Sequence, residues 1–272
     1  MLTSPAYLIL SCVALVVAAP ENITRHQSDC SAWGKVAKDL RSTLVGGDGA
    51  LTDNGRASVR VPFHDCFPGA CDGSIILANE CTDRPENGQM IPICGILGQK
   101  AKDFNVGTAD IIQLAGALSI RAAGGPNIGF YAGRQDSSTA NPVGQMPGQN
   151  DPADKIIGDF RAKGFSPNEL VALLGAHTVA KNRAGQALDT TDARWDNVFY
   201  SETEDLRAPA TLNSDKAVSR ASDTRRTWSG FAGDSGAWES MFIPAMQKMT
   251  TMGNDAGSLT DCSRVISDAF QR

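Results

Sequence analysis

The chain has 272 residues, enough for one large domain or two lobes. Its 25 Lys and Arg stand against 30 Asp and Glu, a formal charge of −5, and no basic run occurs, which argues against nucleic acid as a partner. Beyond the N-terminal segment no apolar run reaches the length of a membrane helix, so no membrane partner is expected.

In chain order, residues 5–19 form an apolar run of signal-peptide length that ends in small residues, although no Lys or Arg precedes it and Pro20 follows the expected cut near Ala19. Residues 1–19 are read as a signal peptide and residues 20–272 as one secreted, extracellular domain. Asn22-Ile23-Thr24 is the one glycosylation sequon. Cys12 leaves with the signal, and an even six cysteines remain: Cys30, Cys66, Cys71, Cys81, Cys94 and Cys262. That count after a signal suggests disulfides, but spacing alone leaves fifteen pairings open. Without a Cys-x-x-Cys, zinc is disfavoured.

Helical periodicity dominates, with apolar stripes predicted over 33–44, 53–64, 108–122, 151–163, 166–181 and 238–251. Pro62 falls inside the second of these and is expected to bend it. Ser166-Pro167-Asn168-Glu169 is a capping box with Pro at the first helical position. The stretch 135–152, rich in Gly, Pro, Ser, Asn and Gln, reads as an exposed connection between a distal lobe at about 27–140 and a proximal lobe at about 141–272. The expected fold is mostly α and two-lobed.

Two of the three histidines lie in stretches that carry chemistry. In Arg60-Val61-Pro62-Phe63-His64-Asp65-Cys66, a helix would project Arg60 and His64 from one face, one turn apart. Such a pair suits peroxide activation. His64 can take a proton from H2O2 and return it to the far oxygen, while the permanently charged Arg60 stabilises the negative charge that develops as the O–O bond breaks. Phe63 would wall the pocket. In the second stretch Leu170, Leu173, Leu174 and His177 follow the i, i+3, i+4, i+7 rule, which predicts an imidazole on the buried stripe of a helix, where a proximal haem ligand sits. A lone histidine there is more often a hydrogen-bonded core residue. Joined to the first stretch, the haem reading prevails.

These residues resemble the plant and fungal haem peroxidase superfamily, closest to its secreted fungal class II branch in the ascomycete style. The resemblance spans nearly all of the mature chain: residues 60–74 (RVPFHDCFPGACDGS), 107–126, Gly133-Arg134-Gln135-Asp136, 163–177 (KGFSPNELVALLGAH) and Leu259-Thr260-Asp261-Cys262-Ser263. It implies haem b between the lobes, His177 as its axial ligand, and Arg60, His64 and Phe63 as catalytic residues. Asn87 matches the asparagine that orients the distal histidine, although Gly88 and Gln89 depart from the usual sequence. Asp215 matches the aspartate that hydrogen-bonds the axial histidine; by itself an Asp in so polar a stretch would be a solvated surface residue. The resemblance pairs Cys66 with Cys71 and Cys30 with Cys262, leaving Cys81 with Cys94, and it marks Met146-Pro147-Gly148 as the rim of the access channel.

Oxygen-rich spacing beside each catalytic histidine marks two calcium loops. Asp65, Asp72 and Ser74 with the carbonyls of Pro68 and Ala70 form the first; Thr178, Asp189, Thr191 and Asp196 with the carbonyl of Arg194 form the second. For any one of these residues, ordinary turn chemistry is at least as good an account.

The implied function is a monomeric secreted peroxidase that uses H2O2 to oxidise small phenolic or similar donors in one-electron steps via a ferryl porphyrin radical. A non-catalytic secreted haem or calcium-binding protein is the alternative, which an intact Arg60 and His64 argue against; a two-histidine metal hydrolase lacks a third ligand. The positions matching a manganese site are Asp53, Ala57 and Arg183, one acid facing a cation. Ala172 stands where ligninolytic relatives carry a surface tryptophan, and Leu188 where relatives carry an aromatic. Trp33, Trp195, Trp228 and Trp238 read as packing residues.

Overall fold

The computed structural model describes residues 30–271, so the signal segment and the Asn22 sequon lie outside the described residues. In order the helices are α1 (Cys30–Leu44), α2 (Asp53–Cys66), α3 (Ser74–Leu77), α4 (Glu80–Asp83), α5 (Ile91–Phe104), α6 (Thr108–Ala122), α7 (Ala153–Ala162), α8 (Pro167–Leu174), α9 (Val198–Asp205), α10 (Asn213–Arg220), α11 (Arg225–Gly233), α12 (Ser235–Thr250) and α13 (Arg264–Ala269). The only strands among the described residues, β1 (Tyr131–Ala132) and β2 (Thr260–Asp261), pair antiparallel. The fold is mostly α, and no described helix is long and apolar enough to cross a membrane.

α6 is buried at every position from Thr108 to Ile120, the polar Asp110, Gln113 and Ser119 included, and it forms the axis of the first group of helices. Asp136 caps its start, accepting from the Thr108 and Ala109 amides at 2.8 Å each. α2 crosses α6 closely because of Gly116, where a Cβ would lie 2.7 Å from Pro62 Cγ and 3.1 Å from the Ser58 carbonyl. Pro62, inside α2, thus serves as a packing surface against that glycine.

A second group gathers around α8 and α12. The Ser166 capping box starts α8: the Ser166 hydroxyl accepts from the Glu169 amide, and the Glu169 carboxylate accepts from the Ser166 amide at 2.7 Å. The predicted helix over 166–181 is shorter than the periodicity implied. It ends at Leu174 and tightens into a 3-10 turn, Gly175–Val179. A Cβ at Gly175 would fall 2.4 Å from the Trp238 ring and from the Tyr200 hydroxyl, so this glycine lets both large side chains press on the helix end. The face that enters the core is Val171 and Ala172; of the apolar stripe only Leu170 is fully buried, while Leu173, Leu174 and His177 turn to a cavity.

All three disulfides implied by the resemblance are formed: Cys30–Cys262, Cys66–Cys71 and Cys81–Cys94, closing 232, 5 and 13 residues. Loop entropy assigns roughly 5 kcal/mol to the first closure and about 2 to the second. Cys30–Cys262, the β1–β2 pair and α13 packing on α1 and α6 bring the C-terminal segment back to the first group. The short helices α9, α10, α11 and α13 lie outside the predicted stripes, as does the longer α5, although its buried Ile93, Cys94, Leu97 and Ala101 recur at helical spacing. α10, for example, offers Val218 as its single large apolar side chain, and tertiary contact rather than an intrinsic stripe holds such short helices.

Candidate active site

Between the two groups lies a cavity of about 640 Å³, of the size that takes a cofactor. Arg60, Phe63 and His64 line one side; Leu173, Leu174 and His177 line the other. Asp215 and Met146, Pro147 and Gly148 border it too, whereas Asn87 and the two oxygen sets do not.

On the α2 side the His64 tautomer follows from its partners. Asn87 Nδ2 donates to the Glu80 carbonyl at 3.0 Å, which turns Asn87 Oδ1 toward His64 Nδ1, 2.7 Å away. Nδ1 must therefore carry the hydrogen. Nε2 accepts from Arg60 Nε at 2.8 Å, which also requires a lone pair there. Burial first, then the Arg60 cation, hold His64 well below the usual imidazole pKa, against the opposing Asn87 bond. Arg60 is lowered too, by burial and then by Arg183, yet a guanidinium stays charged. Its two terminal nitrogens donate at 3.1 Å to Gln89 Oε1 and to the Glu86 carbonyl. Phe63 stacks on Phe160 with centroids 5.9 Å apart and meets the His64 ring edge-on.

On the opposite side His177 Nδ1 donates to Asp215 Oδ2 at 2.9 Å, and Asp215 is fully buried on the first turn of α10. The second Asp215 oxygen has no partner among the described residues, so the carboxylate is devoted to this histidine. With Nδ1 engaged, His177 Nε2 is left to the cavity it lines. That is the atom an axial ligand presents. Phe199 packs edge-on against His177 at 5.6 Å; nothing in its sequence neighbourhood marked it, because α9 itself went unread.

The oxygen sets beside the histidines also assemble. Asp65, fully buried, accepts from the Gly73 and Ile75 amides; Asp72 accepts from the Ser74 amide, and the Ser74 hydroxyl from Asn141. Burial, with Asp72 and Glu80 adding to it, pushes Asp65 up to about 8. The Pro68 carbonyl accepts from Lys163 Nζ at 3.3 Å, so one expected oxygen already has a cationic partner; Ala70 packs against Gly253. In the second set Thr178 donates to Asp189 at 2.6 Å and toward the Arg194 carbonyl at 3.4 Å, while Thr191 donates to Asp196 at 3.0 Å. Burial, with Asp196 and Glu202 nearby, pushes Asp189 up to about 7. Asp65 and Asp189 are buried and each of the four carboxylates accepts from an amide or a hydroxyl, while no group of three or more His, Cys, Asp or Glu side chains placed to hold a metal occurs among the described residues.

Met146, Pro147 and Gly148 line the cavity with Val143, a residue the sequence did not single out, which is 77% exposed. Asp53 is exposed and pairs with Lys181 Nζ at 3.1 Å; the cation facing it is Lys181 rather than Arg183, although both line the cavity. Ala172 is buried, Leu188 lines the cavity, and all four tryptophans named above are buried.

The family model described as peroxidase matches residues 36–234. Among curated proteins, a peroxidase of Arthromyces ramosus is 28% identical over 93% of this chain and 80% of its own length. The low-redox potential peroxidase of Taiwanofungus camphoratus is 30% identical over 93% and 82%, and manganese peroxidase 3 of Phlebia radiata 29% over 92% and 80%. With a match across most of the chain and two histidines facing one cavity, this chain belongs to the peroxidase family, whose members use haem.

Proposed function

We propose that this haem peroxidase is a secreted monomer that reduces H2O2 at the expense of small phenolic or similar donors, with His64 and Arg60 as its catalytic pair, Phe63 walling the pocket, and His177 as haem ligand. One observation carries the reading: a neutral imidazole with its lone pair toward the cavity faces a second imidazole whose far nitrogen is held by a buried carboxylate. Haem b, when bound there, supplies the redox-active iron and porphyrin that accept the oxidising equivalents of the peroxide. Arg60 yields Nε2 of His64 to the incoming H2O2, and Nε2 takes the proton. His64 then returns that proton to the far oxygen, which leaves as water, while the Arg60 guanidinium stabilises its developing negative charge. Asn87 keeps Nδ1 protonated throughout, and Asp215 does the same for His177, which raises the basicity of its ligating nitrogen. Purified protein should show haem absorption and peroxide-dependent dye oxidation. Haem without turnover would favour a non-catalytic haem-binding protein.

Two calcium ions, one in each oxygen set, would neutralise Asp65 with Asp72 and Asp189 with Asp196. Because Asp65 and Thr178 directly follow His64 and His177, chelation should cost activity before it costs helix. Activity, haem absorption and far-ultraviolet dichroism followed together during chelation test this; protein purified without metal, or unaffected by stripping, would refute it.

Donors reach the haem edge past Val143, Met146 and Pro147. With Asp53 neutralised by Lys181 and Ala57 uncharged, a divalent metal finds no carboxylate cluster there, and with Ala172 buried there is no surface tryptophan five residues before His177. Small phenols and dyes should be oxidised steadily and Mn(II) negligibly. Saturable Mn(II) oxidation that Asp53→Ala abolishes would overturn this donor assignment.

A further inference from the structure

A second cavity, of about 290 Å³, opens beside the first and shares Gln149, Asn182, Arg183 and Leu212 with its wall. The rest of its lining is Asn150, Thr211 and Asn213, with Ala184 the one further apolar residue. Arg183 is its single charge, exposed, with no ion pair or hydrogen bond to any described residue. It is nevertheless firmly presented. Asn182 Oδ1 accepts from the Ala184 and Gln186 amides at 2.9 Å each, and the turn closes through Gly185 in the left-handed region at φ +80. Gln89 Nε2 anchors the same turn from across the mouth, donating to the Asn182 carbonyl at 2.9 Å. The facing wall is tied as well, by Asn213 to Asn150 at 2.8 Å and by the Ser214 amide to the Gln149 carbonyl at 2.9 Å.

We propose that Arg183 and this side cavity form a subsite for the carboxylate of an anionic aromatic donor, so that the enzyme favours phenolic acids over neutral phenols. A guanidinium fork matches a carboxylate in two parallel hydrogen bonds, and the neutral amides around it can donate without adding repulsion. Since the two cavities share a wall, a carboxylate held at Arg183 leaves its ring directed at the mouth of the larger one, where the Leu212 side chain is the apolar surface. The charge of Arg183 also reaches Arg60, whose pKa it lowers, so an anion bound at Arg183 would relieve that repulsion.

The inference rests on the peroxidase reading, and its test separates the two. The holoenzyme is assayed with 4-hydroxycinnamic acid and with its methyl ester, above the carboxyl pKa, and the ratio of their kcat/KM values is compared in wild type, Arg183→Ala, Arg183→Lys and Arg183→Glu. The acid-to-ester ratio should fall about fivefold in Arg183→Ala, further in Arg183→Glu, recover partly in Arg183→Lys, and fall with added salt in wild type and Arg183→Lys but not in Arg183→Ala. An unchanged ratio overturns the subsite. So does loss of bound haem in Arg183→Ala, measured as haem absorbance per protein, because Arg183 would then hold a haem propionate instead of a donor. Failure of wild-type holoenzyme to oxidise either compound would count against the peroxidase reading itself.

Discussion

His64→Ala is expected to keep its haem and to lose peroxide activation by about a hundredfold or more, equivalent to roughly 3 kcal/mol of barrier. The imidazole is the group at this site with a free base lone pair: its Nδ1 is committed to Asn87 and its Nε2 turned toward Arg60 and the cavity. Alanine removes the proton acceptor and leaves Arg60, which can stabilise charge but cannot accept a proton. The measurement is the bimolecular rate with H2O2 by stopped-flow absorbance, with haem content recorded beside it. Since burial and Arg60 hold His64 below the ordinary imidazole value, the base form persists on acidification, and the acid limb of the wild-type rate should lie below pH 6.5. Asn87→Ala removes an interaction that raises this pKa, but it also frees the ring; a slower rate with haem retained would mark loss of orientation. Unchanged peroxide kinetics in His64→Ala would sink the assignment.

The second large effect differs in kind. His177→Ala should fail to retain haem, because the one protein nitrogen directed at the cavity from the α8 side disappears. It also strands Asp215, a fully buried carboxylate whose described partner is His177 alone, and such a group costs stability when left unpaired. Lower thermal stability is therefore expected together with loss of haem absorption, whereas His64→Ala should lose neither to the same degree. Equal haem content in the two variants would show that His177 is not the ligand.

Much of this site was legible in the chain because its parts are local. Arg60 and His64 share one turn of α2, and a spacing of four puts two side chains on one helical face whatever the rest of the protein does. The Ser166 capping box and the stripe of α8 are likewise set by near neighbours, as are Asp189, Thr191 and Asp196 within one short loop. The resemblance supplied what no local rule could, the pairing of Cys30 with Cys262 and of His177 with Asp215 across 232 and 38 residues.

Other features were decided only when distant segments met. Phe199 reaches His177 because α9 docks there, and α9 has too few apolar positions to announce itself. Gln89 binds Arg60 and Asn182 together from an unremarkable position, and Lys181 rather than Arg183 neutralises Asp53. The helix of His177 stops at Leu174 because Trp238 and Tyr200 close on Gly175, so Leu173 and Leu174 face the cavity instead of the core. The sequence by itself determined which helices carry the chemistry, since helical periodicity and capping depend on residues within a few positions of one another. Only the tertiary structure decided which surfaces those helices turn to the haem and what gathers at the mouth, because burial and close approach are properties of segments far apart in the chain.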